Sequence, residues 1–141
     1  MGLWLSELFI FVMALDMGQK IITILGMHRS GTSCLTSMLE SMGLYLGDVS
    51  RTDLFNKKGN QENQRIMNLH NDLLGSNGGN WFNPPDAVKW SNVQKSERDR
   101  IISGYSGYPC WGFKDPRTLF VLDGWLEVIP DIQLVGIFRH P

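Results

Sequence analysis

The hydrophobic positions change period several times along the chain, and each change marks an element. Residues 20–25, Lys-Ile-Ile-Thr-Ile-Leu, are a β-branched apolar run closed by Gly26, the pattern of a strand buried on both faces of a parallel sheet. After the loop Met27-His28-Arg29-Ser30-Gly31, the residues Leu35, Met38, Leu39 and Met42 recur at helical spacing, and Gly43 follows where a C-terminal cap belongs. A second helix is predicted over residues 59–74, with Ile66, Leu69, Leu73 and Leu74 on its apolar face and His70 on its polar, solvated side. Ser76-Asn77-Gly78-Gly79-Asn80 breaks that helix, and a polar helix is predicted through residues 94–102. Trp111-Gly112-Phe113-Lys114 reads as a short strand ended by Asp115-Pro116. A helix carrying Leu119, Leu122, Trp125 and Leu126 follows and stops at Pro130. Residues 132–138 read as a last buried strand. Strand and helix patterns thus alternate, which predicts an α/β fold with a parallel sheet flanked by helices.

With 141 residues, 43% of them hydrophobic, the chain can bury one core and is too short for two ordinary domains. Residues 1–16 hold a broken apolar stretch that is too short to span a bilayer and lacks the basic start of a secretory signal. We read it as an N-terminal extension to a domain over residues 17–141, with a peripheral insertion at about residues 76–110. Because the chain stops directly after a predicted buried strand, the domain is expected to be incomplete at its C-terminus.

Charge changes the picture little. The formal net charge is −1 and the Lys and Arg residues are scattered, so no polybasic stripe for nucleic acid or an anionic membrane can be read. Cys34 and Cys110 lie far apart, with no CxxC pair and no Cys/His cluster. That spacing argues against a zinc site or a disulfide framework and for two buried thiols in a reducing compartment.

The candidate chemistry begins at Gly26-Met27-His28-Arg29-Ser30-Gly31-Thr32-Ser33. Two glycines and a terminal hydroxyl stand at the separation of a Walker A loop, but Thr32 takes the place of the lysine that would neutralise the β- and γ-phosphates. NTP hydrolysis is disfavoured. What survives is a run of backbone N–H groups and a helix N-terminus aimed at an anion, with Arg29 as the local charge and Ser30, Thr32 and Ser33 as further donors. The bland alternative is a strand-to-helix turn in which glycine permits the geometry and a hydroxyl caps the helix.

At Arg29-Ser30-Gly31-Thr32 the loop resembles the 5′-phosphosulfate loop of the sulfotransferases that use 3′-phosphoadenosine 5′-phosphosulfate (PAPS). Arginine in the basic position is similar to the tyrosylprotein sulfotransferases and to bacterial sulfotransferase-family proteins. Lys114-Asp115-Pro116 resembles the Lys-Asp-Pro motif of that branch, and residues 134–139, ending in Arg139, resemble the strand and arginine that bind the nucleotide 3′-phosphate. The resemblance spans residues 20–141, and the chain ends before the serine that completes the 3′-phosphate motif.

The resemblance implies a P-loop-like sulfotransferase fold and transfer of a sulfuryl group from PAPS to an acceptor hydroxyl or amine, without a metal. It implies that Arg29 and Lys114 neutralise the departing 5′-phosphate, that Ser30, Gly31, Thr32 and Ser33 hold its oxygens, and that Arg139 anchors the 3′-phosphate. Such transfer depends mostly on positioning and charge stabilisation. Glu62, in Gly59-Asn60-Gln61-Glu62-Asn63, resembles the Gly-x-x-Glu-Asn segment of the bacterial proteins and is the candidate general base. An acid in the first turn of a helix is also favoured by the dipole alone. His28 and His70 compete for the role of base without matching context. Asp115 is expected to orient Lys114 or cap the next helix. Trp81, Phe82 and Trp90 could stack on an acceptor or form a small satellite core.

The implied partners are the nucleotide and an acceptor that is a carbohydrate, a tyrosine or a small molecule; no nucleic acid is expected, and a cytoplasmic enzyme is the default over a membrane-tethered one, which would need residues 1–16 as its anchor. A P-loop kinase or NTPase and a non-catalytic anion-binding fragment remain the alternatives.

Overall fold

A computed structural model of the chain describes residues 18–27, 30–49 and 61–138. The expectations that concern residues 1–16, His28, Arg29, Gly59, Asn60 and Arg139 lie outside them.

The fold is α/β. Strand β1 (Lys20–Leu25) is followed by helix α1 (Thr32–Ser41), α2 (Gln64–Ser76), α3 (Asn92–Gly104), β2 (Cys110–Lys114), α4 (Thr118–Leu126) and β3 (Gln133–Gly136). The three strands form one parallel sheet in the order β2-β1-β3. β1 is therefore central, as its apolar run predicts: Ile22, Thr23 and Ile24 are all buried. Even the Thr23 hydroxyl is absorbed, donating to Phe113 O at 3.3 Å.

The pleat sorts the core into two layers. On one face, Ile22 and Ile24 pack with Leu44 and Leu46 and with Leu35 and Leu39 of α1. On the other, Trp111 and Phe113 of β2 join Ile66, Leu69, Leu73 and Leu74 of α2, Ile101 and Tyr105 at the end of α3, and Val121 and Trp125 of α4. Fully buried aromatic side chains such as Trp111 and Trp125 contribute about 2–3 kcal/mol each by removal from water. Gly112 stands between the two aromatic residues of β2 because a Cβ there would drive into the Ile22 carbonyl of β1.

Several boundaries and faces differ from those read in the sequence. The second helix starts at Gln64, because Asn63 caps it: Asn63 Oδ1 accepts from the amides of Arg65 and Ile66 at 3.0 and 3.2 Å. Glu62 thus precedes the helix instead of sitting in its first turn. The predicted stripe on α1 is split, since Leu35 and Leu39 reach the core whereas Met38 and Met42 are exposed. The last strand is not buried. β3 lies at one sheet edge, and Leu134 is 48% exposed, whereas β2 at the opposite edge is buried because Trp111 and Phe113 pack with α2, α3 and α4. Cys34 is exposed and Cys110 half-buried against the Ile22 and Ile24 layer, both free, so neither thiol is fully buried.

Helix α3 docks on α2 through polar contacts. Its N-terminus carries a capping box in which Gln94 N donates to Ser91 Oγ and Ser91 N to Gln94 Oε1. The Gln94 amide then reaches across to Asp72 Oδ2 at 2.7 Å and Ser76 Oγ at 3.0 Å. Among the described residues no helix is long and apolar enough to cross a membrane.

Candidate functional site

Three parallel strands point their carboxyl ends to one edge of the sheet, the edge at which open α/β sheets bind ligands. β1 delivers the loop that leads into α1, and β2 delivers Lys114. The register sets Lys114 beside Ile24, the penultimate residue of β1. The end of β3 closes the other side: a side chain on Gly26 would press on Thr32 Cγ2 at 2.6 Å and on Ile137 O at 3.0 Å. Glycine is required there and at Gly31, where φ is +96°, a conformation that costs other residues strain.

Helix α1 begins at Thr32 with Gly31 as its N-cap, and among the described residues there is no side-chain capping hydrogen bond. A helix leaves its first N–H groups without intrahelical acceptors and carries partial positive charge at that end. Of the hydroxyls proposed as donors, Ser30 Oγ donates to Met27 O at 2.6 Å, so its proton serves to close the loop. Thr32 is buried and Ser33 half-buried.

Lys114 and Glu62, far apart in sequence, are brought together. Both are almost fully buried, and Lys114 Nζ lies 3.2 Å from Glu62 Oε1. The segment carrying Glu62 is fixed on both sides. Asn63 caps α2, while Gln61, held at φ +54°, exchanges hydrogen bonds with Ser37 of α1 at 3.0 and 3.3 Å. A left-handed glutamine is an unusual conformation, sustained by its surroundings. It ties the Glu62 segment to the same helix whose N-terminus closes the loop.

Behind this pair stands a second layer that the sequence reading did not identify. Arg117 NH1 lies 3.7 Å from Glu62 Oε2 and 2.7 Å from Asp115 Oδ1, and its Nε donates to Asn71 Oδ1 at 2.7 Å. Asp115 Oδ1 also accepts from the Arg117 amide at 3.1 Å. Its other oxygen pairs with His70 Nδ1 at 2.7 Å, and His70 Nε2 accepts from Trp125 Nε1 at 3.0 Å. Burial pushes the Asp115 carboxyl up, but the His70 hydrogen bond and the charge and amide of Arg117 outweigh it and hold the group below its ordinary value.

This arrangement corrects one expectation and narrows another. His70 is fully buried, not solvated: it is four residues after Ile66 and three before Leu73, so its position belongs to the apolar face of α2. Of the two roles expected of Asp115, it makes no hydrogen bond to Lys114 among the described residues but does serve the start of the next helix, accepting from the Arg117 amide, and it also holds the Arg117 guanidinium and His70. The i, i+4 relation of His70 to Ile66 was the signal available for the first. For Arg117 the signal was its place directly after Lys114-Asp115-Pro116.

The aromatic residues proposed as an acceptor platform are largely enclosed. Trp90 sits edge-on to Trp125 and under the Arg98 guanidinium at 5.6 Å, and Trp81 packs on the main core. Phe82 is 81% exposed. An open cleft of about 430 Å³ lies instead beside the N-terminus of α2, lined by Tyr45, Asp48, Asn63, Gln64, Arg65 and Tyr105 among others. Tyr45 stacks on Tyr108 with ring centroids 3.6 Å apart. Burial pushes the Tyr105 hydroxyl up to about 12, where it donates to Leu46 O and accepts from Asn63 Nδ2.

Compared with family models, with curated proteins and with solved structures, the chain matches none of them.

Proposed function

We propose that this chain carries the phosphosulfate-binding part of a PAPS-dependent sulfotransferase with a P-loop-like fold. The observation that carries the reading is the convergence of the Ser30-Gly31-Thr32-Ser33 turn, Lys114 and Glu62: two strands and a capped helix bring the loop and Lys114 to one sheet edge, with Glu62 paired to Lys114. The motifs resembling those of the family are short, and it is their common placement that raises them above chance.

In the proposed reaction the acceptor oxygen or nitrogen forms a bond to sulfur as the bond from sulfur to the 5′-phosphate oxygen breaks. The electron pair of that bond leaves on adenosine 3′,5′-bisphosphate, and the acceptor proton passes to the Glu62 carboxylate. Arg29, Lys114 and the amides at the start of α1 stabilise the charge that grows on the leaving phosphate. Thr32 and Ser33 add hydroxyl contacts, and Arg139 anchors the 3′-phosphate. The chemistry calls for no metal in principle, and the proposed protein operates in the cytoplasm on a carbohydrate, tyrosine or small-molecule acceptor.

The nearest rival, a P-loop kinase or NTPase, is disfavoured by Thr32 at the position of the phosphate-binding lysine. Calorimetric titration with adenosine 3′,5′-bisphosphate in EDTA separates them, run beside ATP with magnesium. Bisphosphate binding that is lost in Arg29→Ala and Lys114→Met supports the sulfotransferase reading. Binding of ATP with magnesium but not of the bisphosphate overturns it. An anion site that takes sulfate but neither nucleotide leaves the non-catalytic alternative.

A further inference from the structure

Glu62 faces two cations, and this geometry gives Arg117 a task. Its Oε1 is 3.2 Å from Lys114 Nζ and its Oε2 is 3.7 Å from Arg117 NH1. The guanidinium cannot drift away easily. Asp115 holds NH1 at 2.7 Å, Asn71 holds Nε at 2.7 Å, and Asp115 is itself fixed by His70 at 2.7 Å, which is fixed by Trp125 at 3.0 Å. The Lys114 side chain has no comparable frame: the one hydrogen bond of its ammonium among the described residues goes to Glu62.

We propose that Arg117 is a positioning residue that shares Glu62 with Lys114, so that the buried Lys114 ammonium is not committed to Glu62 alone and stays available to an incoming phosphate or sulfate oxygen. The physical reason lies in the low dielectric of the site. A lone buried ion pair binds its partners tightly, because separating them leaves two uncompensated charges. A second, rigidly held cation removes that penalty for the carboxylate. An ammonium also has three protons to place, of which Glu62 takes one.

The proposal rests on the sulfotransferase reading for the identity of the anion, whereas the coupling of Arg117 to Lys114 can be measured without any ligand. The readout is the exchange of the Lys114 ammonium protons with water, followed by 15N NMR in the whole chain. Arg117→Gln is expected to slow that exchange by about threefold or more, since coupling between neighbouring charges is of that order. Glu62→Gln is expected to speed it, and the double variant to match Glu62→Gln. Arg117→Lys, which keeps the charge, is expected to restore the parent rate to within about twofold. A rate unchanged in Arg117→Gln, or slowed equally with and without Glu62, overturns the proposal, because a merely structural arginine would behave in those ways. If Arg117→Gln does not fold, Asn71→Ala frees Arg117 Nε without removing charge and must slow the exchange in the same direction.

Calorimetry with adenosine 3′,5′-bisphosphate on the same variants separates the two ideas. A working exchange cycle with no bisphosphate binding by any variant rejects the nucleotide and keeps the role of Arg117. Bisphosphate binding with a flat cycle keeps the nucleotide and rejects that role.

Discussion

Trp125 Nε1 donates a hydrogen bond to His70 Nε2 at 3.0 Å, and because an indole nitrogen donates and never accepts, this bond sets the imidazole tautomer. The proton must sit on Nδ1, where it is donated to Asp115 Oδ2 at 2.7 Å. His70 has both ring nitrogens engaged and is fully buried. It therefore acts through Asp115 and Arg117, which it orients, and not as the base that takes an acceptor proton.

The tautomer can be tested by removing its donor. Trp125→Phe keeps most of the ring volume but leaves His70 Nε2 buried without a partner, at a cost of about 1–3 kcal/mol. Chemical denaturation reads the loss, and 15N NMR of the imidazole reads the tautomer, which should be Nδ1–H alone in the parent. An Nε2–H signal in the parent would contradict the geometry.

Acid should weaken the same network. Asp115 is held below its ordinary value in the folded chain, so the folded state binds its proton less readily than the unfolded state does. A depressed carboxyl contributes stability that is fully present above the unfolded value of about 3.9 and is lost as pH falls through the lower folded value. Stability measured by urea denaturation is expected to drop on acidification below about pH 4. In Asp115→Asn that part of the dependence should vanish, from a lower starting stability.

Much of this was legible along the chain, and the reasons for the rest are physical. β1 was readable to the residue because a central parallel strand is apolar on both faces, and Ile21, Ile22 and Ile24 leave no other reading. β3 looked the same in its sequence, yet β2 and β3 are both edge strands and only β2 is buried, because which edge the helices cover is decided by tertiary packing that no local pattern encodes. The polar network was legible in part. Lys114 and Glu62 stood out by motif, but their contact depends on how the segment around Gln61 folds back on α1 through Ser37. His70 was read as solvated and Arg117 was not singled out, although the spacing to Ile66 marked the first and the place after Asp115-Pro116 the second; what neither signal names is the partner, Asp115 and Trp125 for His70 and Asn71 for Arg117, 45, 55 and 46 residues away.

Arg98 offers a prediction outside the site. Only 3% exposed, it donates to Gly124 O at 2.5 Å and Glu127 Oε2 at 3.0 Å and lies over the Trp90 ring. Arg98→Ala leaves the Gly124 carbonyl without its donor and opens a gap against Trp90. The carboxylates of Glu127 and of Asp99, which Arg98 Nε meets at 2.9 Å, are about half exposed and can turn to water, so the loss is expected to be about 2–3 kcal/mol and not that of a fully buried pair. Arg98→Lys should recover less than half of it, because an ammonium cannot reproduce the planar fork. Thermal and denaturant unfolding of the two variants check both statements.

Two glycines separate the scaffold from the proposed anion site. Gly112 has ordinary backbone angles, but a Cβ there would strike the Ile22 carbonyl across the sheet. Gly112→Ala must therefore push β1 and β2 apart, and overpacking of this kind costs about 1–3 kcal/mol or more. Gly31 is the opposite case. Its neighbour Ile137 Cδ1 would lie 3.3 Å from an added Cβ, a contact that can relax, while its φ of +96° is unfavourable for alanine. Gly31→Ala is expected to cost about 1–2 kcal/mol of strain, part of which the loop can shed by turning its amides. Because those amides are the proposed phosphate ligands, relaxation of the loop should weaken binding of adenosine 3′,5′-bisphosphate by about tenfold or more, equivalent to about 1.4 kcal/mol. Gly112→Ala, assayed at a temperature where it stays folded, should bind within about threefold of the parent, since strand separation begins two residues before Lys114 and leaves the loop intact. Equal losses of affinity in the two variants would mean that the loop is a turn like any other and that the anion is held elsewhere.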